Sequence, residues 1–248
     1  GVVGLAIFIP IIGFLLSPQA GLRFKEVNIF SDPEIVKIAN QQIENDRNVF
    51  WSKIIHNRRV LYSIEYVKHY FDNLNPNFLF IKGDGNPKFS TQAVGQLYLW
   101  DLPFFIAGIL FLIRKKESNW WLIPVWLLLA IIPVAAARET PHALRIETAL
   151  PTFQILTAYG FVSFLTWVKK LDLRFKTYDL RNFSYVLILT SYVLLFMNFL
   201  YFYHNYFSHY SHQYSGEWQY GYKESIDYVK SVENNFDYIQ VTNALGRP

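Results

Sequence analysis

LYLWDLPFFIAGILFLIRKKESNWWLIPVWLLLAIIPVAAARETPHALR, residues 97–145, decides how the chain is read. Leu97–Ile113 is apolar apart from Asp101 and stops at Arg114-Lys115-Lys116; after a short polar link, Trp120–Ala137 is apolar again. Two such runs joined by so short a link predict a helical hairpin in a bilayer, and Trp120, Trp121 and Trp126 suit the belt where indole rings meet headgroups. Downstream, Ile146–Val168 ends in Lys169-Lys170 and predicts a third crossing, and Phe183–Tyr203 predicts a fourth.

The two short links orient the bundle. Arg114, Lys115 and Lys116 in one, and Lys169, Lys170, Arg174, Lys176 and Arg181 in the other, place both in the cytoplasm by the positive-inside bias. The segment before Leu97, the Arg138–Arg145 turn and the tail after Tyr203 then all lie outside. Asn182-Phe183-Ser184 matches a glycosylation acceptor but falls on the cytoplasmic side, which makes it a chance match.

Upstream, 1–16 is apolar but short of a full span, so the reading is a partial transmembrane helix in a piece of a longer protein. Residues 17–96 form a long external loop with turns at Ser31-Asp32-Pro33, Asn75-Pro76 and Gly83-Asp84-Gly85-Asn86-Pro87. Within it, Ile35, Ile38 and Ile43 predict a helix over 33–44 capped by Asp32. A second helix, 59–74, carries a Val60, Ile64, Val67, Phe71 stripe beside Tyr62, Tyr66 and Tyr70, a pattern for lying on a membrane surface or under a domain. The expected organisation is thus 1–16, 17–96, a four-helix region 97–203, and 204–248 as the start of a truncated external soluble domain. That tail holds a helix from about 216 to 233 and a β-like run, Tyr238–Thr242. The fold class is mainly α: a polytopic helical membrane protein with external loop helices and a truncated α/β tail.

Composition agrees. Of 248 residues, 52% are hydrophobic and 17% charged, while a mean hydropathy of +0.14 leaves room for large polar segments. No cysteine is present, which removes disulfides, thiolate metal sites and cysteine nucleophiles. The basic residues behind the modest +4 charge gather beside apolar runs, so nucleic acid is not expected as a partner.

The chemistry concentrates in Arg138-Glu139-Thr140-Pro141-His142-Ala143-Leu144-Arg145. Guanidinium groups bind phosphate oxygens bidentately, so Arg138, His142 and Arg145 at a membrane boundary form a candidate donor-phosphate site, with Glu139 supporting. With Thr140 as cap and Pro141 in the first turn, His142 and Arg145 would share one face of the next helix. The competing explanation is snorkelling interfacial charge, with Glu139 neutralising an arginine. Asp84 and Asn86 suit a metal, a sugar hydroxyl or only a tight turn. Asp101 suits a polar cavity, a partner for Arg138 or Arg145, or the headgroups, and Glu147 an ion pair with Arg145. His204, His209 and His212, among tyrosines, read as an interfacial belt in preference to zinc, and His56-Asn57-Arg58-Arg59 as a solvated helix start. No phosphate-binding glycine loop, dinucleotide fingerprint, His-Glu-x-x-His or Asp-x-Asp pair occurs, which disfavours a soluble nucleotide-donor enzyme.

Ile29-Phe30-Ser31-Asp32-Pro33, Gly83-Asp84-Gly85-Asn86, Arg138–Arg145 and Glu217-Trp218-Gln219-Tyr220-Gly221-Tyr222-Lys223, in this order and on these membrane sides, resemble the C-terminal half of a GT-C membrane glycosyltransferase. The likeness is to the dolichyl-phosphate-mannose protein mannosyltransferase and aminoarabinose-transferase type and covers nearly the whole chain. It implies an integral protein of the plasma (inner) membrane that moves a sugar from a polyprenyl-phosphate donor to a protein, lipid or glycan acceptor on the outer face. It further implies that the catalytic carboxylate lies on a first external loop upstream of Gly1, leaving the catalytic residue of this chain unknown. No metal ligand is assigned, a divalent metal remains a possible cofactor, and fixed positive charge would stabilise the phosphate leaving group. A lipid-linked-sugar transporter or flippase and a non-enzymatic membrane scaffold are the alternatives; transport ranks lower because the polar residues lie outside the apolar runs.

Overall fold

The computed structural model describes residues 12–13, 17–116, 118–175 and 178–240, excepting the side chains of 23, 171–175 and 178–184. Three helices open it. α1, Pro18–Val27, starts at Ser17, whose hydroxyl accepts from the Ala20 N–H. α2, Pro33–Asn45, starts at Asp32, whose carboxylate accepts from the Glu34 N–H with Pro33 in the first turn. α3, Phe50–Ile55, is short and is tied to α2 by the buried Ser52 hydroxyl donating to Asp46 at 2.8 Å.

α4, Arg58–Asp72, is capped by Asn57 and docks through one face. The Tyr62 hydroxyl donates to the Asp32 carbonyl, while those of Tyr66 and Tyr70 donate to the carbonyls of Ile132 and Leu128. The expected tyrosine face is therefore the packed one, and Ile64, Val67 and Phe71 stay more than half exposed.

α5, Asp101–Lys115, ends at Lys116 in the left-handed region. α6, Leu122–Ala135, is apolar on every side. A 3-10 turn, Arg145–Ala149, leads into α7, Thr152–Phe175, followed by α8, Tyr178–His204. α8 runs on through π-helical Asn205–Tyr210 and the short Ser211–Gln213 turn. α9, Tyr222–Val232, lies in the tail. Each of the four apolar runs from Leu97 onward holds a helix. Among the described residues only Tyr185–Gln213, 29 residues, is long and apolar enough on its own to cross a bilayer, and Leu122–Ala135 is apolar but shorter. At about 1.5 Å per residue α5 and α6 measure only about 21–23 Å, because turns precede each helix and Lys116 and Ala136 end them.

α5 and α7 cross at Gly108 and Gly160. A Cβ on Gly108 would strike the Leu156 carbonyl and one on Gly160 the Phe104 carbonyl, so the backbones touch where two small residues meet. The core is Leu127 and Ile131 of α6, Ile146 and Ala149 of the 3-10 turn, and Phe153 and Leu156 of α7, together with Phe78, Leu79 and Phe80. Those last three come from a π-helical turn, Asn77–Ile81, inside the long loop. The Leu97 N–H donates to the Leu79 carbonyl at 2.7 Å, and Gly95 passes the Leu79–Phe80 backbone where a Cβ would not fit.

No strand occurs among the described residues; an isolated antiparallel bridge pairs Asn28 with Ala137. The expected β run Tyr238–Thr242 has no regular structure over 238–240, and 241–242 lie outside the described residues. Most of the partial helix 1–16, and Arg174, Lys176 and Arg181 of the second link as side chains, lie outside them too.

Candidate functional site

The segment 138–145 joins α6 to the 3-10 turn, and the sequence around it dictates its shape. Helix does not begin at Thr140-Pro141 as expected. The Thr140 hydroxyl donates to Asp72 of α4 at 3.3 Å, and the turn begins only at Arg145 with no side-chain cap. His142 and Arg145 therefore do not share a helix face. A constraint comes from 59 residues away: Asp84, 3% exposed, accepts the Ala143 N–H at 2.7 Å and pins the turn at 143–144 that leads into Arg145. Its other oxygen accepts the Asn86 N–H at 2.8 Å, and the Asn86 side chain accepts the Lys88 N–H. The Gly83–Pro87 motif is thus a turn, as one of its readings held, and also the clamp on the charged segment. Gly83, at φ +80° against Ser90, is where only glycine fits.

His142 is 5% exposed. Its N–H donates to Asn73 at 3.4 Å, its ring packs on Phe89 with centroids 4.6 Å apart, and its Nδ1 lies 3.9 Å from Asp84, too far for a hydrogen bond. Burial, reinforced by the Arg145 charge, pushes its pKa below the ordinary 6.5, against the opposing pull of Asp84 and Glu139. The shift favours the uncharged imidazole.

The two arginines differ. Arg138 donates to the carbonyls of Lys25, Asn28 and Ser31 and lies 4.0 Å from Asp32, closing the junction between α1 and α6. The Arg145 guanidinium donates to the Glu139 carbonyl at 3.0 Å, and the residue is only half-buried. Of the expected trio, His142 is buried, Arg138 is taken up by carbonyls, and Arg145 is the less engaged side chain. Glu147, expected to pair with it, instead lines a cavity.

That cavity, about 360 Å³, is bounded by Ala143, Leu144 and Ile146 together with Phe89, Gln96, Glu147 and Gln154. Leu97 and Gln154 also belong to an apolar cleft of about 310 Å³ between α5, α7 and α8, lined by Trp100, Phe104, Phe161, Ile188 and Leu195. Asp101 sits on the rim of the cleft and accepts the Tyr98 N–H at 3.0 Å; it meets neither arginine. A third cavity, about 340 Å³, shares Phe89 and Gln96 and adds Lys88, Tyr206, Tyr210 and Trp218. Tyr210 donates to the Pro87 carbonyl and accepts from Trp218, which ties the tail to the clamp loop.

Several supporting residues were not singled out from sequence. His69 contacts the Ala137 carbonyl through Nδ1 and Glu65 through Nε2, and the fully buried Asn73 bridges the His69 carbonyl and the His142 N–H. Their signal was polar residues at i and i+4 on the tyrosine side of α4. His204 and His209 have rings 5.1 Å apart, and His56 meets Asp46 at 3.2 Å. Among the described residues no group of three or more His, Asp or Glu side chains is disposed to hold a metal ion.

No family model, no curated protein and no solved structure matches this chain.

Proposed function

We propose that the chain is part of a polytopic membrane glycosyltransferase that uses a polyprenyl-phosphate-linked sugar on the outer membrane face. One observation supports the reading: an apolar cleft between helices and a second, more polar cavity against Ala143 and Leu144 share Leu97 and Gln154 in their walls. A ligand with a long hydrocarbon chain and a polar head matches that pair, whereas a water-soluble donor has no use for the cleft.

In this reading α5 to α8 span the bilayer, with the turns flanking α5 and α6 completing their short crossings. The prenyl chain lies in the cleft and the phosphate meets Arg145, which stands between the cavity-wall residues Leu144 and Ile146. Transfer forms a bond from an acceptor oxygen or nitrogen to the anomeric carbon as the bond to phosphate breaks, and the acceptor's proton passes to the carboxylate that the resemblance places upstream of Gly1. The phosphate keeps the electron pair, and the guanidinium stabilises the charge it gains. Lys88, Tyr206 and Trp218 of the third cavity offer a polar, aromatic approach for the acceptor.

The test is transfer of radiolabelled sugar from a polyprenyl-phosphate donor by the full-length protein in vesicles. Arg145→Ala is expected to abolish product while leaving the melting temperature in place, and unchanged turnover rejects the site. Movement of labelled lipid across the bilayer with no product would instead favour transport.

A further inference from the structure

The unused feature is the outer side of α3 and α4. Phe50, Trp51, Ile54 and Ile55 on α3 are 80%, 52%, 55% and 53% exposed, and Ile64, Val67 and Phe71 on α4 are 56%, 52% and 62% exposed. These are not scattered residues. The α4 positions follow i, i+3 and i+7, so they form one stripe, and the α3 residues precede it across a two-residue elbow.

The opposite side of α4 is occupied: its tyrosines bond to α6 carbonyls, and His69, Asp72 and Asn73 hold residues 137, 140 and 142. The orientation of the helix is thereby fixed, and the stripe cannot turn inward. At the crossing, α6 itself exposes Leu128, Leu129 and Ile132. The apolar surface of a helix read as spanning thus continues onto α4. Lys53, Arg58 and Arg59, all exposed, stand at the elbow where headgroup phosphates would lie.

We propose that α3 and α4 form an in-plane anchor in the outer leaflet: the stripe lies among acyl chains, Trp51 and the elbow cations lie among headgroup phosphates, and the inner face of α4 sets the height of the 138–145 segment against the bilayer. The proposal rests on the membrane reading of α5 to α8, not on sugar transfer.

The absence of cysteine makes the test direct. Single cysteines replacing Ile64 or Phe71 in the full chain are spin-labelled in vesicles of phosphatidylethanolamine and phosphatidylglycerol. Relaxation by oxygen, which concentrates in lipid, is compared with relaxation by a water-soluble nickel chelate. Leu189→Cys on α8 reports the bilayer and Lys37→Cys on α2 reports water. The expected result is that the two stripe labels behave as Leu189 does, with oxygen relaxing them severalfold more than nickel. Strong nickel relaxation at the stripe with a lipid signature at Leu189 overturns the anchor and leaves the spanning reading standing. Exclusion of both reagents overturns it as well, since protein would then cover the stripe. Strong nickel relaxation at Leu189 too would overturn the membrane reading together with the anchor.

Discussion

At the residue scale, Asp84 holds the 138–145 segment from outside it. Its two oxygens satisfy the Asn86 and Ala143 N–H groups in a buried setting. Asp84→Ala leaves both donors unpaired and is expected to cost about 2–4 kcal/mol, read as a lowered melting temperature in detergent. His142 gives a pH prediction whose sign follows from its lowered pKa. Between that lowered value and the ordinary 6.5 the unfolded chain binds the proton and the folded chain does not. Stability therefore falls as pH drops below about 6.5. His142→Gln is expected to flatten that fall in melts taken across the range. The turn half of the Asp84 role was legible, because an aspartate two residues before an asparagine, among glycines and a proline, is turn chemistry. The Ala143 half was not: no local pattern names a partner 59 residues away.

At the element scale, α2 and α4 lie within two residues of their expected bounds, since Asp32 with Pro33, and a repeating apolar stripe, are local signals. Helices also sit in all four apolar runs. The packing partners were less legible. A stripe with two neighbouring faces leaves open which one docks, and hydroxyls that can donate to α6 carbonyls decide for the tyrosines. The turn 77–81 was hidden, because Phe78-Leu79-Phe80 between Asn75-Pro76 and Gly83 has no period and becomes core only when α6 and α7 surround it. Gly160 yields the prediction at this scale. In an open helix Gly→Ala gains about 1 kcal/mol. Here the added methyl meets the Phe104 carbonyl, so Gly160→Ala is expected to lower the melting temperature and to loosen α5 from α7. Disulfide trapping between cysteines placed on the two helices would report the loosening.

For the whole molecule, the orientation drawn from the basic links predicts opposite accessibility on the two sides. Asn119→Cys is expected to resist a membrane-impermeant maleimide in intact cells, and Lys223→Cys to react; the reverse pattern would turn the bundle over. The coarse architecture, mainly helical with a long segment ahead of the bundle, was readable from hydropathy and turn residues alone. How that segment joins the bundle was not, because its junctions are long-range bonds that no local pattern announces, among them Arg138 to the Lys25 carbonyl, Tyr210 to Pro87, and Asp84 to Ala143. The turn that carries Phe78, Leu79 and Phe80 makes the two parts share one core. It works as a keystone: residues 17–96 supply the wedge and the later helices supply the arch. Neither half is a module to be cut out and studied alone, since the first would show three bare apolar side chains to water and the second would keep a hole of their size at its centre.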